Sequence, residues 1–243
     1  MADPHAARTV ILGADTPLGI TFVRLALARG DVVGAVHPAP ARVPLLRDLG
    51  AEHPGRLHLL RDDPADPEAV AAARPDALRA IDRLVWAGFR DTVGAAVPGT
   101  PQNHRLDALD PVTLLESFRA NAVQPLLAVR AWRPALRAGH APRLLLVGTW
   151  LGSIALRHDG GQYGLAAPGA ALHAIARALA HELDTDGITV LAGNPGSFKT
   201  ALHGPAFQLT PEEAAGGLLA VVEGATPAGS GTLRDWKGRE TPW

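Results

Sequence analysis

The chain has 243 residues, no cysteine and a formal net charge of −1. Disulfides, zinc thiolates and thiol nucleophiles are thereby excluded, and no global field attracts nucleic acid or an anionic membrane. Hydrophobic residues make up 47% and charged residues 19%, the balance of a folded chain that buries a large core within one α/β domain, residues 1–243.

In chain order, apolar runs alternate with helical spacing. Residues 9–12 form a short apolar run that ends at Gly13 and predicts a buried strand. Residues 18–28 have helical spacing and stop before Gly30, a residue suited to the C′ position. Residues 32–36 predict a strand, 43–49 a helix, 57–60 a strand, 68–80 a helix and 84–87 a strand. The Gly- and Pro-rich segment 88–111 reads as a loop with room for a helical turn. A long helix over 112–136 follows, interrupted by Pro125 and Pro134. Residues 143–147 predict a strand, 169–183 an Ala-rich helix, and 188–192 a strand. A last helix, 211–222, has Thr210 as its cap.

Strictly alternating units with short connections predict a doubly wound parallel sheet, the Rossmann arrangement, with helices on both faces. Ligands on such sheets bind beyond the carboxyl ends of the strands. The first of these ends is Gly13-Ala-Asp-Thr-Pro-Leu-Gly19. Glycines between a strand and a helix let backbone N–H groups approach a pyrophosphate. Pro17 stands where a third glycine would complete the pattern, and it suits the first position of a helix capped by Thr16. A tidy helix start and a nucleotide loop both remain open from this segment alone.

Gly13 and Gly19, Asp63, Ala87-Gly88, Asn121, Thr149, Tyr163 and Pro195-Gly196 with Thr200, in that order and spacing, resemble the motifs of the short-chain dehydrogenase/reductase superfamily, and the tail from Ser230 to Trp243 resembles its C-factor-like carbonyl reductase branch. Gly13 and Gly19 match the outer glycines of the TGxxxGxG loop, with Thr16 and Leu18 between them. Asp63 matches the aspartate near adenine, and Ala87-Gly88 the end of the NNAG motif. Asn121, Thr149 and Tyr163 match the catalytic asparagine, serine and tyrosine. Pro195, Gly196 and Thr200 match the segment that cradles the nicotinamide. The resemblance implies NADP(H), a small-molecule carbonyl substrate, and a homodimer built on the helices over 112–136 and 169–183.

The departures are as specific as the matches. A lysine is expected four residues after the tyrosine, and Ala167 is there. Tyrosine has an ordinary pKa of ~10, and a neighbouring ammonium is what makes it a useful acid or base near neutral pH. Trp86 replaces a motif asparagine, as a wall of the adenosine pocket or as a core residue. His37 stands in for the arginine that selects NADP. Pro168 cannot donate a helical hydrogen bond, which predicts a helix beginning near Ala167 or Pro168 rather than at Tyr163.

The ten histidines have no ligand spacing, so no metal site is expected, and no basic run points to nucleic acid. The start of the chain lacks a basic-then-apolar leader. The apolar stretch 144–156 falls short of the roughly 20 residues that span a bilayer. A soluble cytoplasmic protein is the expectation. Three functional readings stay open: a divergent NADP(H)-dependent reductase with weak or lost activity, a non-catalytic binding or regulatory protein, and a repurposed cofactor-free enzyme.

Overall fold

The computed structural model describes residues 6–37, 44–61, 63, 66–90, 106–198 and 209–243. Eight strands form one sheet in the order β3-β2-β1-β4-β5-β6-β7-β8. They are β1 Arg8–Leu12, β2 Val32–His37, β3 Leu57–Arg61, β4 Arg83–Trp86, β5 Arg143–Val147, β6 Thr189–Asn194, β7 Thr232–Asp235 and β8 Glu240–Thr241. All neighbours pair in parallel except β7 and β8, an antiparallel hairpin. The helices are α1 Pro17–Ala28, α2 Pro44–Glu52, α3 Pro67–Ala72, α4 Pro111–Phe118, α5 Gln124–Arg137, α6 Tyr163–Glu182 and α7 Pro211–Glu223.

The central strands are mostly apolar, with Arg8, Thr9, Arg83 and Arg143 at their starts, because both faces are covered. Along β5, Leu144 and Leu146 enter a core with Trp132, Leu172 and Leu179, under α5 and α6. Leu145 and Val147 enter the opposite core with Phe22, Val33 and Leu218, under α1 and α7. Each such leucine contributes roughly 1.5–3 kcal/mol by leaving water. The register carries Leu12, Trp86, Leu146 and Val36 to the same end of the sheet, so the turns that follow them converge. Order reverses between β1 and β4, which places the switch point at Gly13 and Gly88.

At the other end, the buried Asp31 accepts from Thr9 Oγ1 at 2.7 Å and from Arg83 at 2.8 Å. Arg83 also reaches Glu223, which pairs with Arg29. This network ties β1, β4 and α7 together away from the site.

Three predicted elements differ from the structure. The helix expected over 68–80 is only α3, followed by a 3-10 turn at Asp76–Leu78. Pro75 holds φ −67 and ψ 161, an extended conformation that stops the helix. The helix expected to begin near Ala167 or Pro168 instead runs unbroken from Tyr163, with Pro168 inside it. The missing N–H at Pro168 leaves the Gly164 carbonyl without its helical donor, and Ser117 Oγ on α4 donates to that carbonyl at 2.5 Å. A hydroxyl from a neighbouring helix thus supplies the bond that proline removes. The long helix over 112–136 is split by a π-helical turn, Arg119–Val123, ahead of Pro125.

Candidate functional site

The β1–α1 turn is built by backbone packing. Gly13 has φ +75, and a Cβ there would stand 2.6 Å from the Gly88 Cα. A Cβ on Gly19 would meet the Gly13 carbonyl oxygen at 2.1 Å. Both glycines are therefore required by the protein's own fold. Thr16 caps α1 by accepting from Gly19 N at 2.9 Å, with Pro17 at the first helical position. The Thr16 hydroxyl also lies 3.0 Å from the Gly13 carbonyl and 2.9 Å from that of Ala87, joining β1 to β4 across the switch point.

A phosphate would meet few donors here. Thr16 N donates to Gly13 O, Ile20 N to Thr16 O, and Gly13 N and Ala14 N to Val36 O. Pro17 has no N–H. Among the described residues, Asp15 N and the N–H of the buried Leu18 remain without a protein partner. The residues fit the diphosphate of a dinucleotide with a reduced donor set, and the Asp15 carboxylate opposes an anion at the helix N-terminus.

The rest of the adenosine side is mixed. His37 ends β2 at 1% exposure, so it does not present a solvent-facing cation. Asp63 lies exposed beyond β3. Trp86 belongs to the core under α5 and α6, which settles its two readings toward packing. Its ring lies against Gly88, where a Cβ would meet the indole at 2.9 Å. The Trp86 Nε1 is buried without a partner among the described residues.

Asn121 is fully buried in the π-helical turn. Its Oδ1 accepts from Arg90 N at 2.9 Å, and its Nδ2 donates to Arg90 O at 2.8 Å and Ser117 Oγ at 3.2 Å. The side chain thus fastens the loop after β4 to α4 and to the Gly164 carbonyl network. Its side-chain bonds are those of a structural clamp.

Beyond β5, Thr149 caps the turn Trp150–Gly152, accepting from Leu151 N at 3.3 Å. Trp150 projects from that turn, partly exposed. The turn is pressed against α6: a Cβ on Gly152 would stand 2.5 Å from the Gly169 carbonyl carbon. The chain enters α6 through Gly161 at φ +81 and Gln162 at φ +57, the latter a left-handed conformation unusual outside glycine. Tyr163, the first residue of α6, is 37% exposed, and Ala167 is exposed one turn later. No hydrogen bond among the described residues joins Tyr163 to Thr149.

After β6, Gly196 N donates to Asn194 Oδ1 at 3.0 Å, and Gly196 has φ +72 with Leu209 and Trp236 closing over it. Pro195 is buried. Thr200 lies outside the described residues.

Three features escaped the sequence. Ser117, four residues before Asn121 and so on its helix face, was findable from that spacing. The close approach of Gly152 and Gly169 was not. The third is a clasp on the β5–α6 loop: Ser153 Oγ donates to Pro242 O at 2.6 Å and Ala155 N to Trp243 O at 2.9 Å. The Trp243 ring lies 5.5 Å from that of His173. His173 is 3% exposed, and burial pushes its pKa down to about 4, the nearby Gly152 carbonyl offsetting part of that.

No family model matches the chain. Among curated proteins it is 33% identical over 138 residues to C-signal of Myxococcus xanthus, covering 57% of this chain and 83% of that protein. It is 26% identical to the short-chain dehydrogenase srdF of Neurospora crassa over 263 residues, the full length of both. The chain belongs to the short-chain dehydrogenase/reductase superfamily. Within it, this short-chain dehydrogenase/reductase is of the C-factor and carbonyl reductase type. The carbonyl reductase from Pseudomonas aeruginosa PAO1 in complex with NADP superimposes with a TM-score of 0.81 at 26% identity, over 98% of this chain and all of that one. The NADPH-bound carbonyl reductase from chicken fatty liver gives 0.83 at 25% identity, with the same coverage. No helix among the described residues is long and apolar enough to cross a membrane, and no group of three metal-ligating side chains occurs among them.

Proposed function

We propose that the chain is a divergent short-chain dehydrogenase/reductase whose NADP(H)-dependent reduction of a small carbonyl substrate is weak or lost. The observation that carries this reading is α6: none of its 20 residues is a lysine. Bound NADPH would supply a hydride to the carbonyl carbon. The oxygen then needs a proton, from Tyr163 or from solvent, to leave the alcohol and NADP+. Thr149 is the hydroxyl that would polarise that oxygen. Gly13, Thr16, Leu18, Gly19, Ala87 and Gly88 would border the diphosphate, with Asp63 and His37 toward the adenosine and Pro195, Gly196 and Thr200 toward the nicotinamide. The NADP-bound carbonyl reductases that share the fold support this cofactor. A cytoplasmic homodimer completes the proposal.

A second reading, a non-catalytic binding or regulatory protein, is favoured by one observation: the phosphate turn is poor in donors, since Pro17 has no N–H and Gly13, Ala14, Thr16 and Ile20 spend theirs within the fold. Calorimetric titration with NADPH and NADH, followed by NADPH oxidation with a panel of aldehydes and ketones, separates the two. The proposed function expects NADPH binding with turnover at least about 10²-fold below the ~10 s⁻¹ typical of enzymes, since a mistuned acid forfeits that much. Turnover in the ordinary range would overturn it. No binding up to about 1 mM ligand selects the second reading.

A further inference from the structure

Beside α7 lies a groove that the cofactor and carbonyl chemistry does not use. Helix α1 packs along one flank of α7. The other flank overlooks β7 and the turn into β8, and an open cavity of about 480 Å³ runs between them. That volume falls within the roughly 300–1,000 Å³ of small-molecule sites. The helix wall is Gly217, Ala220, Val221 and Gly224, spaced three and four apart and so on one face. Gly217 brings this wall against the turn at one end, where a Cβ would stand 2.1 Å from the Trp236 carbonyl oxygen. Leu191 of β6 also lines the cavity.

The opposite wall is cationic. Arg234 is held by its Nε donating to Thr232 Oγ1 at 3.1 Å and its Nη1 donating to Gly238 O at 3.3 Å. Its Nη2 stands 3.7 Å from Glu240, a carboxylate that is 65% exposed. A pairing so long and so solvated contributes little. The Lys237 ammonium rests 4.8 Å from the centre of the Trp236 ring and has no carboxylate within 4 Å among the described residues. Asp235 is taken by Arg239 at 2.7 Å. No residue that lines the groove is acidic.

We infer that this groove is a binding site for an amphipathic monocarboxylate, an acid with a flat apolar body of one or two rings. The carboxylate would take the remaining Nη N–H groups of Arg234 in place of Glu240, with Lys237 as a second positive charge. The rings would cover Leu191, Val221 and the Trp236 indole. Inorganic phosphate would meet the same charges and leave those apolar surfaces wet. A second copy of the chain suits the groove less well, because a two-fold axis through it would set Arg234 and Lys237 against their own counterparts. The groove lies outside every position proposed for NADP(H), so the inference does not depend on the reductase reading. Trp236 is the wall shared with the candidate site: a Cβ on Gly196 would meet its ring at 3.1 Å.

Naphthalene-2-carboxylate, titrated into the whole chain in a calorimeter, tests the site, with naphthalene-2-carboxamide as the uncharged counterpart. The acid should bind with a Kd of about 1 mM or tighter, and the amide at least about 10-fold more weakly. Two variants at exposed positions locate the bound acid. Ala220→Trp fills the groove and should abolish binding. Lys237→Met keeps an apolar chain over Trp236 without the charge and should weaken binding about 5-fold or more. Circular dichroism checks that both fold, and if Ala220→Trp does not, Lys237→Met and the amide decide the question. No binding of the acid up to about 10 mM would overturn the inference. Equal binding of acid and amide would do the same, as would binding that survives a folded Ala220→Trp, since the probe would then occupy another cleft. A dimer that Ala220→Trp converts to a monomer in light scattering would assign the groove to a second copy and refute the carboxylate site.

Discussion

At the residue scale, His173 shows how burial tunes a side chain with no catalytic task assigned to it. Neither ring nitrogen meets hydrogen-bond geometry with a partner among the described residues, and burial holds the ring neutral, with its pKa down at about 4. In the unfolded chain the same ring titrates near the ordinary 6.5. A depressed histidine contributes stability that is fully present above the unfolded pKa and is lost as pH falls toward the folded one. Between pH 7 and pH 4 the fold should therefore lose about 3 kcal/mol that the His173→Phe variant does not lose. Urea unfolding at a series of pH values measures the difference. Equal pH profiles for the two proteins would show that the imidazole is not the source.

At the element scale, much of the β/α alternation was legible because periodicity is local. Strands β1 to β6 and helices α1, α2 and α7 fall close to where apolar runs, Pro17, Gly30 and Thr210 place them. Thr210 even completes a capping box with Glu213. The start of α6 was illegible for a physical reason. Pro168 argues against a helix through that point, and the bond that offsets it comes from Ser117, 47 residues away. The candidate site divides the same way. The glycine turn was visible in the sequence, whereas the packing of the turn after β5 against α6 emerges only from the close approach of Gly169 to the Thr149 methyl and to Gly152. Ser117→Ala should cost about 1–3 kcal/mol in chemical denaturation, the cost of a buried carbonyl left unpaired. In the Pro168→Ala background, the restored helical N–H should remove most of that cost. A double-mutant cycle showing no coupling would refute the exchange of bonds.

At the scale of the whole molecule, the helices proposed for the two-fold interface differ in surface. Val112 and Leu115 on α4 are 73% and 70% exposed, with Val123 and Leu126 further along the same helical run. The open face of α6 carries Ala167, Ala174 and Ala178. Large apolar side chains beside a flat row of alanines suit the packing of a second copy. Leu115→Asp should convert a dimer to a monomer in size-exclusion chromatography with light scattering, without loss of the circular dichroism signal. A wild-type chain that is already monomeric at micromolar concentration would remove the proposal. The placement of the tryptophans has another use. Of five in the chain, Trp132 and Trp86 are sealed in the core, while Trp150 and Trp243 flank the β5–α6 loop with their rings partly in solvent. Indole emission responds to the polarity around it, so a molecule settling against Thr149 would change the light from Trp150 while the buried indoles hold a constant background. The protein carries its own optical gauge of occupancy, and unlabelled compounds can be screened by colour alone.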